Sequence, residues 1–354
     1  ISTDKSGIDI SENNHNIKNI EGLGINCINQ PVSRLKSGQL PSDRGCMLII
    51  CPENFRSAIE PLAQWRKQTG IATEIAGAEQ FANAEAIYTF VKGYYKNHTN
   101  LAYLLLVGDA GQVPSYMLPY GASDNYYAYL AGNDHYPDIL VGRFSAETPK
   151  DVQVQVNRTL QYEKEPGTDT RYLVSATGIA STLASGDDGE ADFQHVGNLL
   201  KTLKSTSYNQ YAEFFDGSQG DADADGNPAT TDIMNKINLG TGVIFYTGHG
   251  SPNSWATGSV TKSVVENLSN TGRYPLIWSA AYENGNFTDK YCFAEAWLRA
   301  CAGNGQPAGA VAALMASGSQ TSYPPMQAQD VVAELLANPS EEVSTMGAIS
   351  VKGM

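Results

Sequence analysis

Short apolar runs that stop at Gly, Asp or Pro and alternate with helical periods constrain this chain more than any other feature. CMLIIC (Cys46–Cys51) and LAYLLLV (Leu101–Val107) are two; others cover residues 139–144, 173–180, 243–246, 275–281 and 308–315. Each has the length of a strand and is apolar on both alternating faces, the pattern of a buried parallel strand. Between them lie amphipathic periods. Asn83 stands as an N-cap before Ile87, Phe90, Val91, Tyr94 and Tyr95, and Thr148 caps a stretch with Pro149 first and Val152, Val156 and Leu160 on one face. A third period, Phe55, Ile59, Leu62 and Trp65, is interrupted by Pro61, which removes a backbone donor. Strands alternating with helices predict an α/β chain with mostly parallel sheets covered on both faces. The segment EPGTDTR breaks the rhythm near residues 166–169, which divides the chain into a first α/β lobe at 45–167 and a second at 168–354 carrying the active-site loops. Residues 1–44 are polar and aperiodic, a linker-like arm.

A net charge of -14 over 354 residues repels phosphate backbones and anionic bilayers, so nucleic acid and membrane surfaces are not expected partners. No window approaches the roughly 18 apolar residues of a membrane span, and no basic-then-apolar leader opens the chain at Ile1, so any signal peptide is expected to have been removed. The five cysteines, Cys27, Cys46, Cys51, Cys292 and Cys301, contain no CxxC pair. They read as small apolar core residues rather than a disulfide framework or a zinc site.

In open α/β sheets, functional groups collect beyond the carboxyl ends of the strands. Two strand ends here are unusual: VIFY runs into Thr247-Gly248-His249-Gly250-Ser251, and PLIWSAA runs into Tyr282-Glu283-Asn284-Gly285-Asn286. Glycines on both sides of His249 permit tight turns and exposed N–H groups, which suits a general base beside an oxyanion hole. His15, His98, His135 and His195 read as surface or hydrogen-bonding residues.

The stretch YTGHGS at 246–251, the Ala280-Ala281 pair before residue 282, NGNF at 284–287 and CFAEA at 292–296 together resemble the active-site half of the gingipains. RGCMLIICPENF, LAYLLLVGDAGQVPS, GNDHYPDILVGRFSAE and NRTLQYE follow the same family in the same order, so the resemblance runs from about residue 44 to the last residue. It implies a caspase-like three-layer α/β/α fold of two side-by-side lobes and a secreted or bacterial cell-surface cysteine endopeptidase acting on peptide or protein substrates. Within it, His249 matches the catalytic histidine, Gly250 the residue lending an oxyanion-hole N–H, and Glu147 the acidic residue that orients or charges the histidine. The family's nucleophilic cysteine falls on Tyr282. A phenol is a weaker acid than a thiol, near pKa 10 against about 8.5, and its oxygen lies farther from the backbone. The chain as given is therefore expected not to hydrolyse peptides by this route. The alternative is a natural pseudopeptidase that binds peptides in the same cleft, and a third reading is a transpeptidase. Cys292 matches a family cysteine that is not the nucleophile and heads an apolar helical stretch.

Asn157 falls where arginine-specific members carry a pocket aspartate, and an amide gives no charge complement to a guanidinium. Asp221, Asp223, Asp225, Asn227 and Asp232, with Gly226 at the sixth position, form the pattern of an EF-hand-like calcium loop, with Pro228 as a departure and a solvated acidic turn as the plain reading. Structural calcium also fits the resemblance, and Asp187, Asp188, Glu190 and Asp192 form a lesser second candidate. The arm before Gly45 lies where the family carries its own propeptide or the junction to it, with Arg34 and Arg44 as cleavage or pocket-occupying candidates. The final MGAISVKGM resembles a point short of the end of the family's catalytic domain, so a last helix and strand are expected to be missing.

Overall fold

The structure, a computed structural model, describes residues 45–164, 169–183, 186–288, 291–321, 323–339 and 345–353. The expectations placed on the arm, with His15, Cys27, Arg34 and Arg44, and on residues 166–168 of the lobe boundary lie outside the described residues.

The first lobe runs β1 (Cys46–Cys51), α1 (Arg56–Gln68), β2 (Thr73–Gly77), α2 (Ala84–Asn97), β3 (Leu101–Val107), a short antiparallel hairpin of β4 (Tyr116–Leu118) and β5 (Gly121–Ser123), β6 (Leu140–Phe144) and α3 (Pro149–Lys164). Its strands pair in parallel in the order β2-β1-β3-β6. The second lobe runs β7 (Ser175–Ala180), α4 (Asp192–Lys204), β8 (Gln210–Phe215), α5 (Thr230–Leu239), β9 (Val243–Thr247), a two-residue hairpin of β10 (Gly250–Ser251) and β11 (Ser254–Trp255), α6 (Lys262–Val265), β12 (Leu276–Ala280), α7 (Phe293–Arg299), β13 (Ala312–Met315), α8 (Tyr323–Ala337) and α9 (Met346–Gly353). Its sheet, also parallel, has the order β13-β12-β9-β7-β8.

Strand alternation sorts the apolar side chains into layers. Met47, Ile49 and Cys51 of β1 join Phe245 of β9 and Trp278 of β12 in one apolar cluster that also takes in α1, α4, α8 and α9. The opposite faces form separate clusters. Leu48 and Ile50 meet Ile87 and Val91 of α2, while Ile244 and Ile277 meet Phe293 and Trp297 of α7. Two parallel sheets thus stand side by side with helices on both faces, the three-layer α/β/α arrangement expected.

Local signals act as the sequence suggests. Asn83 accepts from the Ala86 N–H at 3.0 Å. Thr148 and Asp151 cap each other: the Thr148 N–H donates to Asp151 Oδ2 at 2.8 Å, and the Asp151 N–H donates to Thr148 Oγ1 at 3.3 Å. Helix α1 continues through Pro61, whose ring sits on the exposed face, so the carbonyl it leaves unpaired faces water. Two strands of the parallel sheets carry no legible apolar run. Both β2 and β8 are edge strands with partly exposed residues, so their faces do not read as buried. The run at 173–180 opens as a 3-10 turn (Arg171–Val174) before β7, and the run at 308–315 narrows to the edge strand β13.

Helices α1 and α3 are locked by a buried ion pair. Arg66 and Glu163 have side chains 1% exposed each, and Trp65 Nε1 also donates to Glu163. Replacing Arg66 by Leu strands a carboxylate in the core, so unfolding in denaturant should show a loss of about 3–5 kcal/mol, most of it recovered when Glu163→Leu is added.

Candidate active site

The parallel register pairs Tyr246 with Ser279 and Thr247 with Ala280, so β9 and β12 end side by side. Each chain then travels two residues before presenting a polar side chain, His249 from one and Tyr282 from the other. They meet: His249 Nδ1 and the Tyr282 hydroxyl share a hydrogen bond of 2.6 Å, with ring centroids 5.7 Å apart at 70°. His249 is exposed and Tyr282 half-buried, so this pair stands at the surface of the sheet end.

The backbone around the pair is held by buried polar groups. Tyr246 donates its hydroxyl to the His249 carbonyl at 2.6 Å and accepts from the Ala256 N–H at 3.2 Å, while its ring stacks on Trp255 at 4.5 Å. Trp255 Nε1 donates to Ser279 Oγ at 3.0 Å, and Ser279 donates to Asn284 Oδ1 at 3.0 Å. Asn284, fully buried, sends Nδ2 back to the carbonyls of Ser251 and Ser254 at 2.8 and 3.1 Å. The two loops are therefore one hydrogen-bonded unit. Gly250 fits where no side chain can: a Cβ there would stand 2.7 Å from Asn284 Nδ2, 2.8 Å from Ala281 Cβ and 2.9 Å from the Tyr282 carbonyl oxygen. Glu283 adopts φ 61°, a left-handed conformation costly for a residue with a Cβ, and its N–H is tied to the Gly318 carbonyl at 3.1 Å.

Not every residue singled out from the sequence joins this centre. Glu147 accepts from Arg299 at 2.9 Å with its side chain 54% exposed, and among the described residues no hydrogen bond or ion pair joins it to His249. Asn157 lies exposed on α3 between buried Val156 and Arg158. Cys292 is buried at the N-cap of α7, and its thiol is pushed up to about 12, first by burial and then by Glu295, so it is no thiolate. A buried carboxylate, Asp192, stands at the start of α4. It is 3% exposed, hydrogen-bonded by Ser181, and has its pKa raised by burial against the opposing pull of Ser181, His195 and His249. Sequence reasoning placed Asp192 only among calcium ligands; its place just before the apolar face of a helix was the available signal for a structured role.

Two candidate ligands of the acidic loop at 221–232 are taken up by the backbone just before it. Asp223 accepts from the N–H groups of Phe215 and Gln219, and Asn227 from that of Gly217. Among the described residues its carboxylates do not converge, whereas Asp187, His195 and Asp330 do, with donor atoms all within 4.8 Å of one another. His195 Nδ1 lies 3.7 Å from Asp187, 3.6 Å from Glu190 and 3.8 Å from Asp330. Asp187 Oδ1 is buried there with no hydrogen-bond partner. Asp330 has its pKa raised to about 6, chiefly by burial, His195 opposing and the neighbouring carboxylates adding to the rise.

Comparison with known proteins gives a consistent pattern. The family model described as Peptidase family C25 matches residues 41–354. Gingipain R2 of Porphyromonas gingivalis is 35% identical over 323 residues, covering 88% of this chain and 42% of that protein; Lys-gingipain HG66 of the same organism is 27% identical over 72% of this chain and 15% of that protein. The chain thus spans about two-fifths or less of the length of these relatives. The crystal structure of the Arg specific cysteine proteinase gingipain R superposes with a TM-score of 0.81 at 34% identity, over 87% of this chain and 71% of the other; a complex of Porphyromonas gingivalis RgpB pro- and mature domains also gives 0.81, over 87% and 73%.

Because Gly250 is pressed against both loops, Gly250→Ala should push the His249 loop off Tyr282 at a stability cost of about 1–3 kcal/mol. The check is the His249 ring resonances, which should move to where Tyr282→Phe puts them.

Proposed function

The chain belongs to Peptidase family C25, the gingipain-type cysteine peptidases, and from that premise we propose that it is the catalytic region of an endopeptidase in which Tyr282 holds the place of the nucleophilic thiol, leaving the chain as it stands unable to cut. The observation that carries this reading is the 2.6 Å bond between His249 Nδ1 and the Tyr282 hydroxyl. A base directly bonded to the side chain at 282 is the relation that activates a nucleophile. With cysteine at 282, His249 would take the thiol proton, the thiolate would attack the scissile carbonyl, and the imidazolium would return the proton to the leaving amine. The loop N–H at Gly250 is the candidate donor for the oxyanion.

The reading of substrate rests on kinship: a solved relative is named an Arg specific cysteine proteinase, so a peptide carrying a basic side chain before the cleaved bond is the substrate class to which the proposal extends. The chain's own propeptide is an expected partner, since a relative was solved as a complex of pro- and mature domains, and secretion or display at the cell surface belongs to the same reading. No described helix is long and apolar enough to cross a membrane.

A divalent cation is the second part of the proposal. The orphaned buried Oδ1 of Asp187 facing His195 and Asp330 fits a bound cation. The carboxylates suit calcium, and the imidazole nitrogen suits a softer metal such as zinc. Bound there, the ion would fix the start of α4, where Asp192 sits, against α8.

Tyr282→Cys should cut basic-site peptides while the parent does not, and thiol alkylation should stop it. A cysteine variant that stays inert while the parent binds peptide would favour the pseudopeptidase. For the cation, the sign follows from Asp330: its folded pKa is raised, so the folded state holds the proton more tightly than the unfolded one. Cation-free protein should therefore lose stability as pH rises from about 4 through about 6, and added calcium or zinc should abolish that loss. Thermal melts across this range check it, with Asp187→Asn as the control that no longer responds.

A further inference from the structure

Gln329 of α8 is 2% exposed and uses every hydrogen-bonding position of its amide to tie the two site-bearing strands together. Its Nε2 donates to the carbonyls of Tyr246 at 3.0 Å and Trp278 at 3.1 Å. Its Oε1 accepts from the Thr247 hydroxyl at 2.9 Å and faces His195 Nε2 at 3.1 Å. Carbonyls can only accept, so the amide has one orientation, and the His195 nitrogen facing Oε1 must carry the hydrogen. Tyr246 and Thr247 belong to β9 and Trp278 to β12. A single side chain from a helix therefore bridges the seam between these strands just before they release His249 and Tyr282.

The seam needs a bridge at this level. Register between β9 and β12 ends at the Thr247–Ala280 pair, and the next bond, from the Gly248 N–H to the Ala280 carbonyl, is already stretched to 3.4 Å. We propose that Gln329 is a positioning residue that sets the separation of the β9 and β12 ends, and with it the distance between His249 and the side chain at 282. Through Oε1 the same clamp is anchored to His195. The peptidase reading is needed for its kinetic consequence but not for its geometric one.

The test uses Gln329→Leu, Gln329→Glu and Thr247→Val. In the parent chain, the ring nitrogen resonances of His249 report its bond to Tyr282, with Tyr282→Phe marking the value when that bond is lost. Gln329→Leu should move them toward that value in a protein that remains folded by circular dichroism. In the Tyr282→Cys background it should lower kcat about tenfold or more while KM changes less than about twofold, because a misplaced base costs the chemical step rather than binding. Gln329→Glu should not restore kcat, since it offers oxygens to two carbonyls. Unmoved His249 resonances in folded Gln329→Leu, or a loss carried by KM alone, would overturn the proposal. If Tyr282→Cys cuts nothing, the peptidase reading fails while the resonances still decide the clamp. If Gln329→Leu does not fold, Thr247→Val removes one of the four contacts and should give a smaller shift in the same direction; no shift overturns the proposal.

Discussion

The parallel ladder between β9 and β12 is the constraint on which the rest of the site depends. Its register brings two chain segments 33 residues apart in sequence to the same height at one edge of the sheet, and each then needs only two residues to reach the other. Everything nearby serves to hold that meeting. The interior face of these strands is apolar and buried, which fixes their height against the helices, while polar side chains take over where the ladder runs out.

Those polar groups form a closed set rather than a scatter of contacts. Tyr246, Trp255, Ser279 and Asn284 pass hydrogen bonds from one loop to the other, and the buried Asn284 amide donates to the carbonyls of Ser251 and Ser254. Such a network is rigid because each missing partner would leave a desolvated polar group, at a cost of about 1–3 kcal/mol. The left-handed Glu283 shows the same balance from the other side, since its unfavourable conformation persists only because the Gly318 carbonyl and the packed loop hold it.

The carboxylates divide by what faces them. Glu147 and Glu295 are engaged by Arg299, a buried guanidinium that ties the end of β6 to α7. Among the described residues no Lys or Arg pairs with Asp192, so burial wins over the pull of Ser181, His195 and His249 and its carboxyl is held up in pKa. Asp187, Glu190 and Asp330 crowd one imidazole with more negative charge than it can balance, which is the electrostatic reason a cation suits that spot.

Apolar runs set by Val, Ile and Leu made the central strands legible, because a strand buried on both faces has to be apolar throughout; β2 and β8, half-exposed edges, left no such trace. Glycines around His249 marked one strand end, since tight turns leave a local signature, and the Ala-Ala pair before Tyr282 marked the other through its resemblance to the family. The sequence by itself therefore determined the α/β class, the buried central strands and the two loops that matter. Only the tertiary structure decided which side chains hold the two strand ends together. Gln329 reaches them from a helix whose own periodicity is satisfied without it, and Glu147 is drawn to Arg299, because burial and charge balance act between elements that the linear sequence keeps apart.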